Sequence, residues 1–268
     1  MPEAMQTWDL SLGDRAALSV RSDTVPVGLR PVEPGHVPRL ELSGHDLSDV
    51  TVDVQTSGDG VRVTISRPKR AVLFGFTHAF DLRAIAYVPS GLRASVEAEF
   101  GGVDVAGLGQ GDLKLQTRAG PIQVEDVAGR LDLEAGAGSI TVRRGSGEIE
   151  AESDAGLISM ADVTGRVSAE ADAGSITIRG LRGSIKAETQ AGPIRLEIAG
   201  LDAGDHRVET SMGPITVTLA AGLVVDVQAR TTIGPVRNSV TAQPGSAVRL
   251  QLKTDIGPII VREGAPPS

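Results

Sequence analysis

The sequence predicts an all-β fold: a single-stranded parallel β-helix or β-solenoid of about nine rungs, behind an N-terminal β-meander or sandwich-like cap. Three observations carry this reading. Glycine recurs every 18 residues, at Gly120, Gly138, Gly156, Gly174 and Gly192. The segments between these glycines alternate apolar and polar residues, the half-buried strand pattern, and none shows a helical period. The repeats also build their interior from Val, Ile, Leu and Ala, because all six aromatic residues (Trp8, Phe74, Phe76, Phe80, Tyr87 and Phe100) precede them.

Residues 1–100 read as a β-rich cap continuous with the repeats. Alternation marks strands at Leu18–Val20, Arg39–Leu42, Val50–Val54, Val61–Ile65, Phe80–Val88 and Ala94–Ala98. Ser57-Gly58-Asp59-Gly60 supplies a hairpin turn, and Pro31, Pro34 and Pro38 mark a loop. Such a cap would cover the end that a stack of strands otherwise exposes.

Residues 101–261 carry the repeat. The unit reads Gly-x-Ile-x-Val, a linker, a Gly-x-Leu-x-Leu/Ala segment and a small-residue corner. Aligned on the glycine, Ile122, Ile140, Ile158, Ile176, Ile194 and Ile215 form one inward column. Leu113, Leu131, Ile149, Val167 and Ile185 form another on the second strand. The corner column of alanines widens to Met212, Ile233 and Ile256 near the end. Proline follows the glycine at Pro121, Pro193, Pro214, Pro235 and Pro258, a strand-entry position that tolerates its missing N–H. Like positions face like positions when each strand pairs with its equivalent one coil away. Residues 262–268 are expected to be a flexible tail.

Composition narrows the function classes. A net charge of −8 argues against nucleic acid as a partner. The chain holds no cysteine, which excludes disulfides, thiolate chemistry and cysteine zinc sites. The N-terminus lacks the basic and apolar regions of a signal peptide, and no apolar run reaches the ~20 residues of a transmembrane helix. The expectation is a cytoplasmic protein, in peripheral contact with the cell envelope.

Val88-Pro89 followed by a strand, then Gly-x-Val/Ile-x-Val and Gly-x-Leu-x-Leu units, resembles a widespread bacterial family labelled a putative adhesin domain or a domain of unknown function. Gly120–Val124, Gly129–Leu133, Gly138–Val142 and Gly174–Ile178 carry the likeness, which spans about residues 40–261. The resemblance implies a right-handed parallel β-helix or roll, and an envelope association for some members. It implies no reaction.

One column invites a functional reading. Four residues before each anchor glycine stand Glu97, Gln116, Glu134, Glu152, Glu170, Glu188 and Glu209, outward by parity, with Asp132 and Glu150 two positions earlier. Carboxylates one rung apart, at about 4.8 Å, repel by about 1 kcal/mol in a water-like dielectric. The strip reads either as a site for cations or a basic partner, or as a solvated face partly neutralised by Lys114, Lys186, Arg130 and Arg166. A second candidate combines Lys69 and Arg70 with Phe74 and Phe76. It reads as a loop docking on an anionic membrane or a partner, or as a plug on the first rung.

Other chemistries find little support. The nine-residue glycine spacing suggests a calcium roll, but the required Gly-Gly-x-Gly-x-Asp is absent. An outward row of Thr141, Ser159, Thr177 and Thr216, broken by Arg195, is ordinary β-surface. His36, His45, His78 and His206 lack metal-ligand spacing. No nucleophile elbow or phosphate loop appears, and no long insertion builds a cleft wall. The reading is therefore a non-catalytic scaffold or binding protein without cofactor or metal, whose partner is a protein or envelope component and whose self-association is weak. The alternatives are a self-assembling protein resembling bactofilins and a carbohydrate-active β-helix enzyme.

Overall fold

The computed structural model describes residues 4–13, 17–58, 60–67, 82–241, 243 and 245–264. Among them lie nineteen strands and no helix, so the fold is all-β with extensive parallel pairing. The chain divides into two compact units, Met1–Ala135 and Gly136–Ser268.

The first unit contains β1 (Ala4–Asp9), β2 (Ala17–Ser22), β3 (Val27–Pro31), β4 (Arg39–Gly44) and β5 (Thr51–Ser57). Then follow β6 (Gly60–Ser66), β7 (Arg83–Val88), β8 (Arg93–Ala98), β9 (Val103–Ala119) and the start of β10 (Ile122–Ala137). Here the expected meander is corrected. The strand β2 lies parallel between β6 and β8, with Leu18 beside Val61 and Ala94, and Val20 beside Val63 and Val96. Likewise β3 lies parallel between β7 and β9, with Leu29 beside Ala86 and Val105. The inward columns of the repeats thus continue through the first hundred residues, and the earliest strands are threaded into the stack. The reason is burial: Leu18, Val20, Val27 and Leu29 are each at most 1% exposed, and an edge position could not cover them. Antiparallel pairing is left to the margins, where β5 pairs with β6, β4 with β7, and β1 with β4.

The second unit contains β11 (Ile140–Ala161), β12 (Thr164–Ala191), β13 (Ile194–Leu201), β14 (Gly204–Met212) and β15 (Ile215–Leu219). It ends with β16 (Asp226–Ile233), β17 (Val236–Asn238), β18 (Val248–Ile256) and β19 (Ile259–Glu263). Parallel registers follow the glycine period: Ile149 pairs with Val167, Gly156 with Gly174, and Ile158 with Ile176. The aliphatic columns are buried except in β16 and β17, where Val227 and Ala229 are half-exposed and Val236 is exposed.

Anchor glycines are required by backbone contact as much as by turning. A Cβ at Gly174 would lie 1.8 Å from the carbonyl oxygen of Gly156, and one at Gly192 would lie 1.7 Å from that of Gly174. Three residues before the anchor, a hydroxyl uses the same carbonyls. Thr189 donates to the Gly174 oxygen at 3.4 Å, Thr210 to Gly192 at 3.3 Å and Thr254 to Gly213 at 3.1 Å. Each bond satisfies a polar group that the corner would otherwise bury.

The stack does not follow chain order at the C-terminal end, contrary to the sequence expectation. The last strands, β18–β19, lie between β14–β15 and β16–β17: Val208 pairs with Leu252, which also pairs with Ala229. Ile259 lies between Ile215 and Val236 in the same way. Composition explains the exchange. Leu250, Leu252, Ile259 and Val261 are at most 1% exposed, whereas the equivalent residues of β16–β17 include Ala229 and Asn238. The more apolar segment takes the position covered on both sides. Strand structure also reaches Glu263, into the stretch expected to be a tail.

Candidate functional site: an acidic groove

Strand alternation turns residue 171 and its equivalents inward and leaves the flanking positions outward. The outward residues four before the anchor stack as the registers dictate: Glu152 beside Glu170, Glu188 beside Glu209, then Glu209 beside Lys253. The column therefore changes sign at its end, since Lys253 is followed by Arg230.

Around the corner these side chains line a shallow groove of about 170 Å³ in the second unit. Its carboxylates are Glu170, Asp172, Glu188, Glu209 and Asp255, with Lys253 as the cation. Ala171, Thr189 and Thr210 belong to the same lining, and the two hydroxyls are engaged by glycine carbonyls. Local partners relieve part of the charge. Arg207 places Nη2 2.8 Å from Glu209 and Nε 3.6 Å from Glu188, while Lys186 lies 3.4 Å from Glu188. The hydrogen bond to Glu209, reinforced by its charge, pushes Arg207 above the usual guanidinium range and keeps it protonated. Gln190 donates to Asp172 at 2.6 Å.

The remaining members of the strip stand elsewhere. In the first unit Glu134 accepts a hydrogen bond from Gln116 at 2.5 Å, and Asp132 pairs with Lys114 at 3.0 Å. There the column also carries Arg21, 2.6 Å from Glu97. Glu150 is exposed and lies beside Ser168. The structure thus gathers Glu170, Glu188 and Glu209 into one groove, with Glu152 next in register to Glu170. Asp172, Asp255 and Arg207 were missed by the sequence reading. A signal for the two aspartates existed: Asp154, Asp172 and Asp255 all stand two residues before an anchor glycine. Lys69, Arg70, Phe74 and Phe76 lie outside the described residues, as does His78.

A groove of this volume falls below the ~300 Å³ at which small-molecule pockets begin. Among the described residues no group of three or more His, Asp or Glu side chains could hold a metal ion. The row of hydroxyls runs Ser159, Thr177, Arg195, Thr216 and then Ile260, so it does not form a continuous polar face. His206 is 1% exposed and serves the backbone: Nε2 donates to the Asp202 carbonyl at 2.9 Å, and Nδ1 accepts from the Ile185 N–H. Among the described residues no helix is long and apolar enough to cross a membrane.

No family model matches the chain, and no curated protein matches it. Among solved structures it is similar to a putative cell adhesion protein from Clostridium sporogenes, at 11% identity and TM-score 0.27, covering 98% of this chain and 99% of that one. A putative adhesin from Bacteroides fragilis matches at 12% identity and TM-score 0.37, over 98% and 97% of the two chains. A putative adhesin from Parabacteroides merdae matches at 16% identity and TM-score 0.39, over 98% and 96%. These structural neighbours are bacterial proteins described as putative adhesins or a putative cell adhesion protein.

Proposed function

We propose that the protein is a non-catalytic β-solenoid of about nine coils, an adhesin-like module that binds a partner along its outward faces. The observation that carries this reading is the use of its polar groups. Inside, hydroxyls and His206 are consumed by backbone partners, and outside, the side chains repeat at strand spacing over a groove too shallow to enclose a substrate. The face offered is the acidic groove, and its complement is a cationic surface on a protein or envelope component. Stacked, evenly spaced carboxylates favour an extended partner with matching positive charge over a small ligand.

Retention on a polylysine-coated surface tests this. The protein binds at low salt and is released as salt rises. Glu170→Gln, Glu188→Gln and Glu209→Gln together weaken binding about tenfold or more. The charge-matched set Asp9→Asn, Glu33→Gln and Asp53→Asn serves as control. Equal loss in both sets would reduce the effect to net charge and overturn the groove assignment. Cleavage within a polysaccharide panel, abolished by Glu152→Gln, would overturn the non-catalytic reading.

A further inference from the structure

The C-terminal exchange of strands leaves one side of the second unit unfinished. Among the described residues β16 pairs with β18 and β17 with β19, and neither pairs with another strand on its opposite side. The core is open there as well. Val227 and Ala229 continue the inward columns of Leu250 and Leu252, yet they are half-exposed where those leucines are at most 1% exposed. Close by, Val224 is 48% exposed. An unpaired edge with an open apolar end requires either blunting or a partner.

We propose that this edge is the interface of a two-fold homodimer, made by antiparallel addition of β16 to the β16 of a second copy, with Gln228 on the axis. The strand's own sequence selects both the occupant and the register. With Gln228 facing its equivalent, Asp226 stands opposite Arg230 and Val227 opposite Ala229, so charges and inward residues both match. Arg230 has reason to take such a partner. It makes no ion pair among the described residues, and its neighbour on the paired side is Lys253, of like charge. The Asp226 carboxylate receives Gln228 at 3.1 Å and has Arg249 at 3.8 Å, leaving acceptor capacity for a further donor. A two-fold contact uses one patch twice and closes on itself, so it yields a dimer and no filament. This inference stands apart from the acidic groove and does not depend on it.

Sedimentation equilibrium of the full chain, with oxidative cross-linking, tests it. The wild type is expected to sediment as a dimer whose dissociation is concentration-dependent. Arg230→Glu, facing Asp226 of the other copy, raises the dimer Kd about tenfold or more. Gln228→Cys is diagnostic because the chain has no cysteine of its own. Equivalent residues on the axis of an antiparallel pair stand ~5 Å apart, within disulfide reach. Gln228→Cys therefore cross-links quantitatively, whereas Ser239→Cys does not. An unchanged melting transition in each variant shows that the fold is intact. A strict monomer, an open-ended filament, or a dimer insensitive to Arg230→Glu and not cross-linked through Gln228→Cys would each overturn the proposal.

Discussion

The imidazole Nδ1 of His206 accepts the backbone N–H of Ile185 at 3.3 Å, inside a column that is otherwise aliphatic. The period lengthens here from 18 to 21 residues, since Ile158 pairs with Ile176 but Glu188 with Glu209. The added residues between Leu201 and His206 carry the backbone away from Ile185, and the histidine ring takes the place of the missing carbonyl. His206→Leu restores the column's apolar character and strands that N–H. A loss of about 1–3 kcal/mol in unfolding free energy is expected from urea titration, despite the more hydrophobic side chain.

Gly174→Ala tests the close backbone approach. The added methyl would meet the Gly156 carbonyl oxygen at 1.8 Å, a contact with backbone that no rotamer relieves. The variant should lose about 3 kcal/mol or more. Gly222→Ala is a useful contrast: its φ is 78° with nothing near the added atom, so its cost is conformational and smaller, about 1 kcal/mol. Thermal unfolding of the pair should rank them in that order.

Truncation after Ala247 distinguishes the observed strand order from a sequential stack. In chain order, removal of the last strands would shorten the stack and leave the remainder intact. Here, among the described residues, β18–β19 are the sole strand partners of β16 and β17, and they cover β14–β15. The truncated chain should lose hydrogen-exchange protection in residues 204–238, while residues 140–178 stay protected.

Arg207→Ala removes the cation shared by Glu188 and Glu209. Because all three side chains reach solvent, the penalty is electrostatic and screened. The melting temperature should fall in dilute buffer. The difference from wild type should close near 1 M salt, where the screening length is about 3 Å. A difference that persists at high salt would mean that Arg207 acts through packing.

Much of this molecule was legible in the chain because its contacts are local in the repeat. Glycine spacing, two-residue alternation and the aliphatic columns fixed strand type, parity and register wherever one repeat follows another, as at Ile158 and Ile176. Parity alone also turned Glu170, Glu188 and Glu209 outward. Tertiary structure decided the order in which the strands stack. Leu18 and Val20 enter between later strands, and Leu250 and Leu252 displace β16 to the edge, because the most apolar segments gain most from cover on both sides. Periodicity says which residue faces inward on a strand. Which strand lies inside is a competition between segments far apart in sequence, settled by the apolar area each can bury.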